Sequence, residues 1–112
     1  MAAHLDFEFR LSRVGRDKQP TVRIWVDEDS DGRMDHNEEV SPLRQDGMMW
    51  RGRKAIQQDS AEGIAFLVRF HATPGARWRL RVWSDAPDRH LVYEETDSTA
   101  EEAGRIIGWC RA

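Results

Sequence analysis

The sequence is short of residues that could tie a small domain together covalently. It contains a single cysteine, Cys110, so no disulfide can form within the chain. A single cysteine without a disulfide partner suits a reducing compartment. No apolar run approaches the ~18 residues of a membrane-spanning helix. The first residues, MAAHLDFEFR, lack the basic and apolar regions of a signal peptide. We therefore expect no membrane association and, by default, a cytoplasmic location.

The motifs of common catalytic and cofactor sites are also missing. The chain has no Gly-rich phosphate loop, no serine elbow and no Walker sequence. Its four histidines are not spaced with cysteine or with one another as zinc ligands are. Cys110 has no neighbouring base in the sequence, so we interpret it as a buried or terminal thiol. These absences favour a protein that is not an enzyme.

The balance of charge does not indicate a nucleic-acid partner. The formal net charge is −3, whereas domains that bind nucleic acids usually carry a basic excess. Seven acidic residues fall between positions 27 and 39, against one base, Arg33. Basic residues gather elsewhere, and Arg77, Arg79 and Arg81 alternate along one segment. We interpret that stripe as a solvated sheet face paired with acidic neighbours; a surface for an anion or an acidic partner is the alternative.

The dominant hydrophobic period is two residues, which is typical of strands with one buried face. In LDFEFRL, residues 5–11, and in GIAFLVRFHA, residues 63–72, large apolar residues occupy every second position. Turn signals rich in Gly and Pro separate the periodic segments. The predicted strands cover residues 5–11, 21–26, 48–56, 63–72, 77–83, 90–95 and 105–110.

About seven strands joined by short turns predict an all-β fold. We expect one domain over residues 1–112, an antiparallel β-sandwich of immunoglobulin-like or jelly-roll-like type. A flattened barrel is the alternative. Thr99 and Glu102 have the spacing of a capping box, so a short helix near 98–104 is expected. Gly52, inside a predicted strand, indicates a β-bulge.

The segment DEDSDGRMDHNE, from Asp27 to Glu38, has carboxylates at alternate positions followed by a glycine. Calcium is a hard cation that takes about six to eight oxygen ligands. A short loop can surround it if alternate side chains point inward and a glycine allows a sharp turn after the third ligand. Gly32 stands at that position.

This segment resembles the calcium-binding loop of EF-hand proteins at all twelve positions. The helices of that family are not implied, because the strand-like TVRIWV precedes the loop and Pro42 follows it. The resemblance is therefore to DxDxDG loops that lie between strands. The ligands that it implies are the carboxylates of Asp27, Asp29, Asp31, Asp35 and Glu38, and the backbone carbonyl of Arg33.

An acidic turn without a metal is the alternative for this loop. Asp, Asn, Ser and Gly favour turns whether or not an ion is present. At least five carboxylates would then repel one another within one loop, at a cost in stability, and a cation would relieve most of that repulsion. We therefore expect one bound calcium ion whose role is structural.

Tryptophans provide the second group of candidate ligand-binding residues, which are Trp25, Trp50 and Trp83. Trp25 and Trp83 fall on strand faces otherwise occupied by arginine, where cation–π packing would cover them. The predicted function is a small, non-catalytic calcium-binding domain that acts as a protein- or ligand-binding module, with an unknown protein or glycan as its partner. The alternatives are a carbohydrate-binding module that uses exposed tryptophan and a metal-free protein-interaction domain.

Overall fold

The computed structural model describes residues 2–12, 21–27, 38–57, 63–72, 74–85, 88–98 and 103–110. Within these segments no helix has the length and apolar character needed to cross a membrane. The strands are β1 (Ala2–Leu11), β2 (Val22–Asp27), β3 (Arg44–Asp46), β4 (Met49–Gln57), β5 (Ile64–His71), β6 (Arg77–Ser84), β7 (His90–Ser98) and β8 (Ala103–Cys110).

These strands form two antiparallel sheets that pack face to face. The large sheet has the order β3-β4-β1-β6-β7, and the small sheet has the order β2-β5-β8. The chain therefore crosses between the sheets after β1, β2, β4, β5 and β7, and the described strands form hairpins at β3-β4 and β6-β7. The predicted all-β antiparallel sandwich is confirmed.

The core lies between β1, in the middle of the large sheet, and β5, in the middle of the small one. Phe7 meets Phe66 edge-on with ring centroids 5.7 Å apart, and Phe9 meets Phe70 at 4.9 Å. All four rings are almost completely buried. Burying one such side chain contributes about 1.5–3 kcal/mol, so these rings account for much of the attraction between the sheets. The inward faces predicted for residues 5–11 and 63–72 are confirmed.

The described residues form eight strands, whereas about seven were predicted. The additional one is β3, a three-residue edge strand, which lies outside all of the predicted strands. It pairs with β4 through Arg44 with Arg51 and Asp46 with Met49. Its three residues are all polar and exposed, so they carry no alternation that could have identified a strand.

The helix expected near 98–104 is wrong at the positions that the structure describes. Ser98 ends β7, where it pairs with Arg77 of β6. Ala103 and Gly104 begin β8, paired with His71 and Phe70 of β5. At these three positions cross-strand pairing therefore takes the place of a helix, since tertiary context overrides local propensity. Residues 99–102 lie outside the described residues.

The β-bulge expected at Gly52 is also wrong. The β1–β4 register runs without a shift, and Phe7 pairs with Gly52. The glycine instead makes room for the segment that crosses from the small sheet to β3. A Cβ added at Gly52 would lie 2.5 Å from Leu43 Cδ2 and 2.6 Å from Val40 Cγ1. The register shift in the large sheet falls between Val82 and Trp83, where β6 pairs with β7.

We predict that Gly52→Ala destabilises the protein, because its methyl group overpacks the contact with Leu43. Overpacking of this kind typically costs about 1–3 kcal/mol. Chemical denaturation should show this loss of unfolding free energy, and Leu43→Ala in the same chain should recover part of it. Strict additivity of the two substitutions would contradict the proposed contact, since independent sites show no coupling energy.

Candidate functional site

The two ends of the predicted calcium loop lie at one place in the fold. Asp27 is the last residue of β2. Beyond the loop the chain returns antiparallel to β2: Glu39 forms a bridge with Trp25, and the Val40 N–H donates to the Ile24 carbonyl at 2.7 Å. The chain thus leaves the end of β2 and returns alongside β2, so the base of the connection is closed.

The carboxylates at this base are buried. Asp27 is 5% exposed and Glu38 is 2% exposed. Both interact with other groups of the protein. The other predicted ligands, Asp29, Asp31, Arg33 and Asp35, lie outside the described residues. Within the described segments, no group of three or more His, Cys, Asp or Glu side chains could hold a metal ion.

Trp25 is covered on the outer face of the small sheet. The guanidinium of Arg23 lies 4.7 Å from the centroid of the indole, and that of Arg69 lies 5.8 Å away. Glu39 fixes Arg23 through two hydrogen bonds, at 2.7 Å and 3.1 Å, and this pairing raises the pKa of Arg23. The predicted cation–π packing is confirmed, and it leaves only 8% of Trp25 exposed.

The other two candidate tryptophans occupy different surfaces. Trp50 is a core residue beside Phe9, with ring centroids 6.4 Å apart. Trp83 is half-buried on the outer face of the large sheet, where the guanidinium of Arg89 lies 4.8 Å from its centroid. Trp25 faces outward from the small sheet instead. The three predicted ligand-binding tryptophans are therefore not brought together.

A more exposed tryptophan lies on β8, a segment whose sequence predicted a strand and no ligand-binding residue. Trp109 is 52% exposed and Ile107 is 67% exposed. In the register of the small sheet, Ile107 pairs with Leu67 and Trp109 pairs with Ala65. We call Leu67, Ile107 and Trp109 the apolar strip. Alternation within RIIGWC places Ile107 and Trp109 on one face and Ile106 and Cys110 on the other, which is the signal that could have identified them.

The indole of Trp109 is held in place from one side. It packs against Gly63, where an added Cβ would lie 2.6 Å from the indole nitrogen. Gly63 also has a φ of 105°, in a region that other residues rarely adopt. The position therefore favours glycine for two reasons, and the ring of Trp109 keeps an exposed surface in a defined orientation.

The outer face of the large sheet carries rows of alternating charge. Arg81 pairs with Glu94, and Arg51 lies 3.5 Å from Glu8. Asp6 interacts with both Arg53 and Arg89. Surface pairs of this kind contribute little individually, but they neutralise the face locally. The prediction of acidic partners is confirmed for Arg81.

The same prediction is wrong for the other members of the stripe. Arg77 and Arg79 form no ion pair with any described residue, and neither does Arg10, which lies opposite Arg79. Their cross-strand neighbours on β7 are Ser98 and Thr96, which supply hydroxyl groups and no carboxylate. Knowing the strand register is therefore necessary to separate paired from unpaired arginines.

Asp85 connects the end of β6 to the start of β1. The His4 backbone N–H donates to Asp85 Oδ1 at 2.8 Å, and His4 Nδ1 lies 3.1 Å from Oδ2. The backbone hydrogen bond is the main cause of a lowered pKa at Asp85, and Arg53 adds to it. The carboxylate is thus held ionised in a structural contact between neighbouring strands.

The thiol and the phenol of the chain are both poorly suited to nucleophilic chemistry. Burial raises the pKa of the Cys110 thiol to about 11. Tyr93 donates its hydroxyl hydrogen to Glu95 Oε2 at 2.5 Å, and burial together with this carboxylate raises its pKa to about 12. Both groups are therefore neutral near pH 7, and the interpretation of Cys110 as a buried thiol is confirmed.

We predict that Cys110 resists thiol reagents at pH 8 in the folded protein and reacts quickly in denaturant. The raised folded-state pKa also means that unfolding releases a proton above the ordinary thiol pKa. The contribution of Cys110 to stability should therefore decline as the pH rises from about 9 to about 11. Denaturation series of wild type and Cys110→Ala should differ in slope over that window. Parallel slopes, or rapid native labelling, would contradict the assignment.

The described surface thus offers two places where the fold leaves unusual chemistry exposed. One is the apolar strip on the small sheet, and the other is the set of unpaired arginines on the large sheet. Comparisons of the chain with protein-family models, with characterised proteins and with solved structures found no match.

Proposed function

We propose that the protein is a non-catalytic binding module in which one calcium ion organises the loop after β2. The observation that supports this most is the burial of Asp27 and Glu38 at the base of the loop, with 5% and 2% exposure. Burial and the interactions that both residues make with the protein hold the two carboxylates at fixed positions, as metal ligands are commonly held. These two residues stand at the first and twelfth positions of the calcium-loop pattern.

The oxygen chemistry of this loop fits a hard divalent cation. Carboxylates and a backbone carbonyl are the ligands that calcium prefers. The interactions that Asp27 and Glu38 already make with other groups would orient them, as contacts around metal ligands commonly do. In this proposal Asp29, Asp31, Asp35 and the carbonyl of Arg33 complete the site.

The position of the loop suggests that an ordered loop would form part of a ligand-binding surface. Asp27 pairs with Ala65, and Ala65 pairs with Trp109 on its other side. The base of the loop and the apolar strip therefore share one row of the small sheet. A loop ordered by calcium would border the strip, and a protein or glycan ligand bound there would contact both.

We predict that calcium raises the melting temperature of the wild-type protein measured by calorimetry. Calcium at one hundred times its Kd adds about 2.7 kcal/mol of stability, which for a domain of this size is a shift on the order of 10 °C. Asp27→Asn and Glu38→Gln should each lose most of this increase, because each removes a carboxylate charge from the site. Magnesium should stabilise less, since it demands a smaller and more regular shell.

Asp46→Asn is the matched control, since it removes the same charge from an exposed position on β3. It should keep the full response to calcium. The comparison uses the change in melting temperature on adding calcium. It therefore stays informative even if a substitution lowers the metal-free melting temperature. Identical melting curves with calcium and with chelator in the wild type would contradict the proposal.

Carbohydrate binding is the second candidate, and the exposed face of Trp109 is the observation that favours it. A fixed indole with an apolar body and a polar N–H suits the mixed surface of a sugar ring. We predict that a bound polysaccharide quenches tryptophan fluorescence in the wild type and in Trp83→Ala, but not in Trp109→Ala. If no common polysaccharide changes the wild-type emission, a protein ligand remains and the glycan is ruled out.

A further inference from the structure

Three arginines lie close together on the outer face of the large sheet, whereas Asp27 and the apolar strip belong to the small sheet. Arg10 of β1 lies opposite Arg79 of β6, and Arg77, two residues before Arg79, begins β6. Directly opposite residues in an antiparallel pair have Cβ atoms about 5 Å apart, and residues i and i+2 of a strand are about 7 Å apart on one face. We call Arg10, Arg77 and Arg79 the arginine triad.

Hydroxyl groups border the triad. Thr96 and Ser98 of β7 stand opposite Arg79 and Arg77. Ser12 is fixed at the end of β1, because its Oγ accepts the Arg77 backbone N–H at 2.9 Å and its own N–H donates to the Arg77 carbonyl at 2.8 Å. Together these groups line an open depression of about 500 Å³. The hydroxyl hydrogens add neutral donors to the guanidinium donors.

The triad is not explained by the stability of the fold. Like charges placed directly opposite one another destabilise a strand pair, and Arg10 and Arg79 have no acidic partner among the described residues. One row away on the same face, Arg81 has Glu94 and Arg51 has Glu8. A sheet that pairs its arginines in one row and leaves them unpaired in the next carries an arrangement that costs stability, as binding sites commonly do.

We propose that the arginine triad binds the phosphate group of a small phosphomonoester. A guanidinium presents parallel N–H donors that match two phosphate oxygens at once. A phosphomonoester carries nearly two negative charges near pH 7, which three arginines can neutralise. The depression has the volume of a small-molecule site.

The surroundings of the triad limit the size of the anion. A polyanion that extended along β1 and β6 would reach the row of Glu8 and Glu94, whose carboxylates lie on the same face. Asp97 lines the rim of the depression on the β7 side. A row that its own arginines already neutralise on one side and Asp97 on the other offer no second site for phosphate, which favours one phosphate group over a continuous phosphate backbone. We expect this ligand to bind independently of calcium, because the triad lies on the large sheet and Asp27 ends a strand of the small sheet.

The test measures binding of phenyl phosphate by isothermal titration calorimetry, with inorganic phosphate, phenol and chloride at matched ionic strength as comparisons. We expect phenyl phosphate to bind, inorganic phosphate to bind more weakly, and phenol and chloride to give no signal. Arg79→Gln should weaken binding about tenfold or more, because a hydrogen bond to a charged group is lost. Its melting temperature should stay equal or rise, since the substitution removes repulsion from Arg10.

Arg44→Gln is the matched control. Arg44 is exposed on the same sheet, stands opposite Arg51 and forms no ion pair with a described residue, but it lies outside the depression. Its substitution changes the net charge equally and should leave binding unchanged. Arginine side-chain N–H signals in NMR should shift for Arg10, Arg77 and Arg79 when phenyl phosphate is added.

Three results would overturn the proposal. The first is an equal loss of affinity in Arg44→Gln and Arg79→Gln, which would show a general charge effect. The second is an equal response to phenyl phosphate and to chloride. The third is binding of a phosphoserine peptide without any binding of phenyl phosphate, which would show that the peptide and not a small ester is recognised.

Discussion

The fold depends on the contact between β1 and β5. Each is the strand from which its sheet extends on both sides, and Phe7 and Phe9 of one meet Phe66 and Phe70 of the other. If these rings were smaller, the sheets would lose both the apolar area that holds them together and the aromatic geometry that fixes their offset. The other features are positioned by the strands that pair with these two. The pairing of β5 with β2 and β8 places the end of β2 and the exposed residues of β8. The pairing of β1 with β6 places Arg10 opposite Arg79.

Because this contact buries the inner faces, unusual residues on the outer faces indicate candidate binding surfaces. Strand alternation sends every second residue outward, and a sandwich with its apolar residues in the core needs polar residues outside. The large sheet follows this rule with rows of paired charge, such as Glu8 between Arg51 and Arg81. Departures from the rule therefore stand out. Ile107 and Trp109 are apolar where polar residues are expected, and Arg10 and Arg79 are charged without a partner in the described structure.

Much of the fold could be predicted from the sequence, because a period of two identifies both a strand and its buried face. Leu5, Phe7 and Phe9 are clear examples. The signal fails where a segment has no alternation, as in β3, and where a local motif competes with pairing, as at Ser98. The sites are harder to predict than the strands. The cover over Trp25 comes from Arg69 on another strand as well as from Arg23, and the isolation of Arg79 depends on the register between β1 and β6. Both are properties of strand pairing, which a single sequence does not display.

The architecture also bears on how a calcium ion at Asp27 and Glu38 would act. In a helix–loop–helix site the ion can change the angle between two mobile helices. Here the chain on both sides of the loop is already fixed, by the bridge from Glu39 to Trp25 and by the hydrogen bond from Val40 to Ile24. Closing the base in advance reduces the loop entropy that an ion must overcome. It also leaves no pair of movable elements for the ion to reorient. Binding energy at such a site would stabilise one conformation of the loop, and the sandwich beneath it would remain unchanged.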